Sequence, residues 1–142
     1  ATIFISCAAE TAGRIPSDIV INPIVGPEII TGSTRLKAGT ATKLVLNMLT
    51  TGAMIRMGKV YGNLMVDLKA TNAKLRDRSL RIVMELTELN RSKAEALLAA
   101  AHGRVKIAIV MHYRRTDYLE AQKILRRCDE SLARAIGKDP VF

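Results

Sequence analysis

Between Gly26 and Lys43 the chain reads Gly-Pro-Glu-Ile-Ile-Thr-Gly-Ser-Thr-Arg-Leu-Lys-Ala-Gly-Thr-Ala-Thr-Lys, a stretch that gathers hydroxyls, cations and pliable backbone. Thr31, Ser33 and Thr34 offer hydroxyl donors, and Gly32 lets the backbone come close to a ligand. A helix starting just after them would aim its first amides at an anion. Arg35 and Lys37 fall at or just before that first turn, where the helix macrodipole disfavours cations by about 0.3–1 kcal/mol each. Cations persist there most easily when an anion sits among them, and either a bound phosphate or Glu28 would serve. One reading makes the segment a ligand-facing anion site. The other makes it a structural Arg35–Glu28 or Lys37–Glu28 pair at a turn.

Positioning such a segment requires a strand before it and a helix after it. Thr2–Ser6 and Asp18–Asn22 are short β-branched runs, and their near-continuous Ile and Val predict parallel strands covered on both faces. In open α/β sheets ligands bind beyond the carboxyl ends of such strands, where Gly26–Lys43 falls. Two strands alone do not make a stable sheet, and a buried strand at the very start suggests that the chain begins inside a fold. Residues 36–57 predict a long helix, apolar around most of its circumference and so suited to a central or interface position. Gly58 ends it, Val60–Thr71 reads as a mostly irregular crossing segment, and Asn72–Glu88 reads as a second helix, basic on one side.

From Asn90 the pattern changes to three or four short helices. Ser92 with Glu95 fits a capping box, and Gly103 stops the helix that follows. Val105–Met111 suits a strand or a helix equally well. Thr116-Asp117 and then Asp129 are placed to cap two more helices, the last closed by Gly137 and Pro140. The uncovered apolar face of residues 44–55 and the open strand edge lead us to expect dimerisation, element swapping or aggregation.

Composition narrows the function classes. The 142 residues are 49% hydrophobic and 25% charged, a soluble globular mix with no run long enough to span a bilayer. The net charge of +9 is spread evenly: eleven basic and seven acidic residues in 1–88, eleven and six in 89–142. That suits a small phosphorylated ligand better than a nucleic-acid tail. Arg114-Arg115 and Arg126-Arg127 read as solvated faces, and three Tyr, two Phe and no Trp leave little to stack on bases. Cys7 and Cys128 are isolated thiols, as in a reduced, cytoplasmic setting. No P-loop order follows Gly32, no Gly-x-Ser-x-Gly elbow occurs, and His102 and His112 lack partners at metal spacing. The methionines read as core filler.

The run Gly26–Lys43 resembles the signature shared by bacterial N-acetylmuramic acid 6-phosphate etherases and the glucokinase regulatory protein. Leu44–Leu49, Gly58–Asp67 and Ala70–Leu75 extend the match and are closer to the bacterial etherases. Ala8-Ala9 departs from it, standing after Cys7 where those enzymes often have Asn-Pro. The resemblance is to the C-terminal half of such proteins. It implies an α/β fold: the last part of a three-layer α/β/α sugar isomerase (SIS) sandwich over residues 1–88, then a small helical domain similar to ubiquitin-associated modules over 89–142. It also implies a cytoplasmic homodimer acting on a phosphorylated amino sugar without metal or cofactor, with no nucleic-acid or membrane partner.

The activity implied is cleavage of the D-lactyl ether, giving N-acetylglucosamine 6-phosphate and D-lactate in peptidoglycan recycling. Lactate is eliminated through an unsaturated sugar aldehyde and water is then added, with two carboxylates as acid and base. By this resemblance both catalytic glutamates and the phosphate-binding Ser/Thr turns lie upstream of Ala1. No catalytic residue is therefore assigned here, and the chain alone is expected to be inactive. Glu28, Thr31, Ser33, Thr34, Arg35 and Lys37 are the expected substrate-proximal or supporting groups. Lys69, Asn72 and Lys74 are weaker candidates, because the crossing segment resembles the tail that carries a lysine to the site in glucosamine-6-phosphate synthase; an exposed helix start explains them equally well. The alternative function is a non-enzymatic sugar-phosphate-binding regulator like the glucokinase regulatory protein.

Overall fold

The computed structural model describes residues 1–11, 13–68 and 72–140. They form a mixed α/β protein, mostly helical with a few short strands, in two compact units, Ala1–Gly52 and Ala53–Phe142. Among the described residues no helix is long and apolar enough to cross a membrane.

In the first unit, β1 (Ile3–Ile5) and β2 (Ile19–Ile21) pair in parallel, with Ile3 opposite Ile19 and Ile5 opposite Ile21. Ser6 N–H donates to the Ile21 carbonyl and Ile19 N–H to that of Thr2, extending the ladder at both ends. The expected parallel pair is there, but the expectation of burial is corrected within this chain. Ile3, Ile19 and Val20 remain 47%, 49% and 41% exposed, because a two-stranded ladder has neither flanking strands nor full cover. Helix α1 (Lys37–Arg56) lies within one residue of the expected bounds. Of its twenty residues only Val45 is buried, while Leu44, Leu46, Met48, Met54 and Ile55 stay exposed.

The second unit has a hairpin and five short helices. β3 (Val60–Tyr61) and β4 (Leu64–Met65) pair antiparallel across Gly62-Asn63, so the crossing segment is more ordered than expected. Gly62, with φ 57°, supplies the left-handed first loop position that a two-residue hairpin favours. α2 (Ala73–Thr87) is capped by Asn72, whose side chain accepts from Leu75 N–H, and ends on left-handed Glu88. α3 (Arg91–Ala100), α4 (Val105–Arg114), α5 (Tyr118–Arg127) and α6 (Leu132–Ile136) complete the unit.

The core is organised around α4. Val105 through Val110 are all buried, and α2, α3, α5 and α6 all pack on this helix. That settles the ambiguity of Val105–Met111, since a helix enclosed by other helices can be apolar all round and keep its β-branched residues. Fully burying Ile107 and Ile109 contributes about 1.5–3 kcal/mol each. Two expected caps are corrected. Asn90, not Ser92, caps α3, and Glu95 instead faces Arg91 at 3.8 Å. Ser131, not Asp129, caps α6, because Asp129 and Glu130 both take left-handed backbone in the turn before it. Asp117 caps α5 and Gly137 closes α6, as the sequence indicates.

Candidate functional site

The loop from Gly26 to Leu36 turns back on α1 through one carboxylate. Glu28 accepts from Lys37 N–H at 2.9 Å and from Ala38 N–H at 3.0 Å, one amide to each oxygen. A helix start leaves its first amides without intrahelical partners, and Glu28 answers two of them. Those bonds, that of Ala38 first and then that of Lys37, hold its carboxyl below the usual glutamate range; burial opposes them, and the Lys37 charge adds a smaller lowering effect. The anion among the cations is thus Glu28, bound by backbone rather than by a side-chain ion pair. Lys37 turns away, its Nζ donating to the Pro27 carbonyl at 3.0 Å.

Ahead of the helix, Ser33 N–H donates to the Ile30 carbonyl with Gly32 at φ 82°, the pattern of a type II turn. This presents Thr31 and Arg35 to solvent and leaves Ser33 half-buried. Among the described residues no side-chain hydrogen bond engages Thr31, Ser33, Thr34 or Arg35. Beyond the carboxyl end of β1, a cavity of about 510 Å³ is lined by Ser6, Cys7, Thr34, Thr42, Lys43 and Asn47, with other residues of β1 and α1. Cys7 closes one side, its thiol 3.5 Å from the Ala38 carbonyl and 3.7 Å from the Thr42 hydroxyl. Of the six primary candidates, Thr34 lines this cavity. Ser6, Thr42 and Lys43 are polar additions that sequence reading passed over, although Thr42 and Lys43 closed the singled-out segment.

The weaker candidates belong to the second unit, and Lys69 lies outside the described residues. Asn72 and Lys74 line a concavity of about 570 Å³ at the start of α2, together with Arg78 and Arg81. Asp77 pairs with Arg81 at 2.7 Å; among the described residues neither Lys74 nor Arg78 has a carboxylate partner. Asn72 spends its side-chain oxygen on capping α2.

Sequence reading also missed Lys106. It is only 5% exposed at the centre of the helical unit. Its Nζ donates to the carbonyls of Glu130 (3.2 Å) and Gly58 (3.4 Å) and to the Glu130 carboxylate (3.2 Å). The signal was a single lysine inside Val-Lys-Ile-Ala-Ile-Val, since a charge in an enclosed apolar run needs built partners.

A family profile, the C-terminal lid domain of glucokinase regulatory protein, matches residues 62–108. An N-acetylmuramic acid 6-phosphate etherase of Synechocystis sp. is 50% identical over 139 residues, covering 98% of this chain and 46% of the relative. The N-acetylmuramic acid 6-phosphate etherase 2 of Vibrio cholerae is 53% identical over 135 residues, 95% of this chain and 44% of the relative. The etherase of Photorhabdus laumondii is 57% identical over 123 residues, 87% and 41% respectively. The chain spans a little under half the length of these curated relatives. Over nearly all of its length it corresponds to the C-terminal part of the N-acetylmuramic acid 6-phosphate etherase family.

Proposed function

We propose that this chain is the C-terminal part of an N-acetylmuramic acid 6-phosphate etherase, a carbon–oxygen lyase that releases D-lactate from the phosphorylated amino sugar in peptidoglycan recycling. The observation that carries this reading is identity at half of the aligned positions across 98% of the chain. Under it, residues 1–88 are the last portion of a three-layer SIS sandwich and residues 89–142 a small helical domain like ubiquitin-associated modules. The resemblance supports that division; α2 shares its core with α3 to α6. The protein acts in the cytoplasm as a homodimer and needs no metal or cofactor.

In this role the chain supplies supporting groups rather than the acid and base. Glu28 fixes the loop on α1, which holds the Thr31–Arg35 turn in place. Ser33, Thr34 and Arg35 face the sugar phosphate, Lys37 braces the loop from behind, and Asn72 and Lys74, with Lys69, are contributed by the crossing segment. The elimination and the addition of water belong to carboxylates carried by the upstream part.

The test is a chimaera joining the upstream part of the Synechocystis relative to this chain, assayed for D-lactate from N-acetylmuramic acid 6-phosphate beside the 142-residue chain alone. We expect release by the chimaera and none by the chain. Release by the isolated chain would overturn the assignment of acid and base. The match of residues 62–108 to the C-terminal lid domain of glucokinase regulatory protein leaves a second reading, less favoured than the first, of a sugar-phosphate sensor without turnover. A folded chimaera that binds the sugar phosphate and makes no lactate would support it.

A further inference from the structure

We propose that Asn22 is a positioning residue: it clasps the chain that leaves β1 and so sets the wall of the cavity beyond that strand. The assignment rests on the proposed function only in taking that cavity to face the sugar phosphate.

The rhythm of the parallel ladder carries the argument. Ile19 N–H donates to the Thr2 carbonyl and Ser6 N–H to that of Ile21, so alternate residues of β2 make the rungs. The next rung would run from residue 23 to the Ser6 carbonyl. Residue 23 is a proline and has no N–H to give. The Asn22 side chain supplies the donor instead, its Nδ2 lying 2.5 Å from the Ser6 carbonyl oxygen. An amide nitrogen carries two protons, and Nδ2 also donates to the Ala8 carbonyl at 3.1 Å. The ladder thus ends in a side-chain clasp that reaches past its last backbone rung.

No other hydrogen bond among the described residues ties residues 7–11 to the sheet. Ala8 N–H donates to Ser6 Oγ, and the Thr11 amide and hydroxyl both donate to the Ala8 carbonyl, bonds that shape this turn from within. Towards α1 the turn has only the sulfur contacts of Cys7, at 3.5 and 3.7 Å, and a thiol is a weak partner. Without Asn22 the turn would keep its shape and lose its place. Ser6 and Cys7 line the cavity together with Thr34, Thr42, Lys43 and Asn47. Because Ser6 Oγ is already engaged by Ala8 and Thr11, the turn contributes a wall, and the other four remain to meet a ligand.

The experiment is Asn22→Ala in this chain, read by alkylation of Cys7 with iodoacetamide. Asn22 is half-buried and its side chain takes no part in the backbone rungs, so its loss leaves the strand pair in place. We expect Cys7 to react about tenfold faster while the amides of Leu44–Leu46 in α1 keep their exchange rates, the mark of local opening. Adding Pro23→Ala returns an N–H to the missing rung and should bring the thiol back to within about threefold of its original rate. An unchanged Cys7 rate, equal acceleration in α1, or no recovery in the double variant would overturn the proposal. In the chimaera, Asn22→Ala should raise KM about fivefold and leave kcat within about twofold. An unmoved KM, or a fall in kcat at constant KM, would also overturn it. An inactive unsubstituted chimaera refutes the etherase reading instead, and the thiol rates then decide the clasp by themselves.

Discussion

Gly58→Ala tests the close packing on which the Lys106 junction depends. The glycine has φ 66°, and an added Cβ would lie 2.6 Å from the Glu130 oxygen, 2.8 Å from its carbonyl carbon and 3.1 Å from Ser131 N. All three are backbone atoms, so no flexible side chain can move aside. Left-handed backbone costs an alanine about 1–2 kcal/mol. Forcing a methyl into a filled site costs about 1–3 kcal/mol more. Gly103→Ala is the matched control in the same unit, with φ 74° and nothing within 4 Å of its Cβ, so it carries only the first cost. For a unit of this size each kcal/mol shifts Tm by roughly 4–8 °C. Thermal unfolding followed by far-UV circular dichroism should therefore show the Gly58 variant at least about 4 °C below the Gly103 variant. Equal losses in the two would refute the packing argument, because backbone conformation would then account for everything.

Three further outcomes follow from single contacts. Burial, the largest cause, and the neighbouring Tyr113 raise the Tyr61 phenol above its usual 10.0, and its Oη donates to the Lys138 carbonyl at 3.1 Å. The unfolded phenol therefore ionises first, stability falls as pH rises past 10, and Tyr61→Phe should flatten that alkaline loss in urea titrations. Asn72→Ala removes the cap on α2 and should cost about 0.5–2 kcal/mol in urea unfolding, against little change for Ser92→Ala, which caps nothing. Light scattering should find the chain associated through α1, and Met48→Glu, at a position 65% exposed, should shift it toward monomer; a monomer at high concentration without the substitution would contradict this.

The elements that could be read from sequence were those whose ends carry their own chemistry. Asn72 and Glu88 bound α2 because an amide side chain can cap one end and a left-handed residue close the other. α3 was misplaced by two residues because Asn and Ser cap equally well; the earlier start wins a further bond, Ala94 N–H to the Asn90 carbonyl. α4 was undecidable locally, since what makes Val105–Val110 a helix is the four helices around it. The hairpin was overlooked although Gly-Asn between two short apolar pairs is a turn signal. At the candidate site, sequence placed Glu28 among cations and left a bound phosphate or a side-chain pair with Arg35 or Lys37 open, whereas its hydrogen-bond partners are the amides of Lys37 and Ala38. Side-chain charges are visible in a sequence, whereas the unpaired amides of a helix start are not.

That difference determines what α1 can still offer a phosphate. Glu28 takes the amides of Lys37 and Ala38, Gly39 N–H donates to the Thr34 carbonyl at 2.8 Å, and Thr40 N–H donates to that of Leu36. The first turn is satisfied internally, so an anion arriving there gains no backbone donor without displacing a carboxylate. What remains for it is side chains: Arg35, and the Thr34, Thr42 and Lys43 edge of the cavity beyond β1. Two measurements follow. The depressed Glu28 pKa contributes stability that is present above about 4.5 and lost as pH falls through the lower folded value, so Lys37 and Ala38 amides should exchange faster only below that range. Glu28→Ala frees both amides and turns the helix start into an open anion site. Inorganic phosphate should then raise the Tm of the variant while leaving the unsubstituted chain almost unmoved; at ten times Kd the gain is about 1.4 kcal/mol. If phosphate stabilises both equally, the carboxylate is not the occupant that keeps anions from this turn.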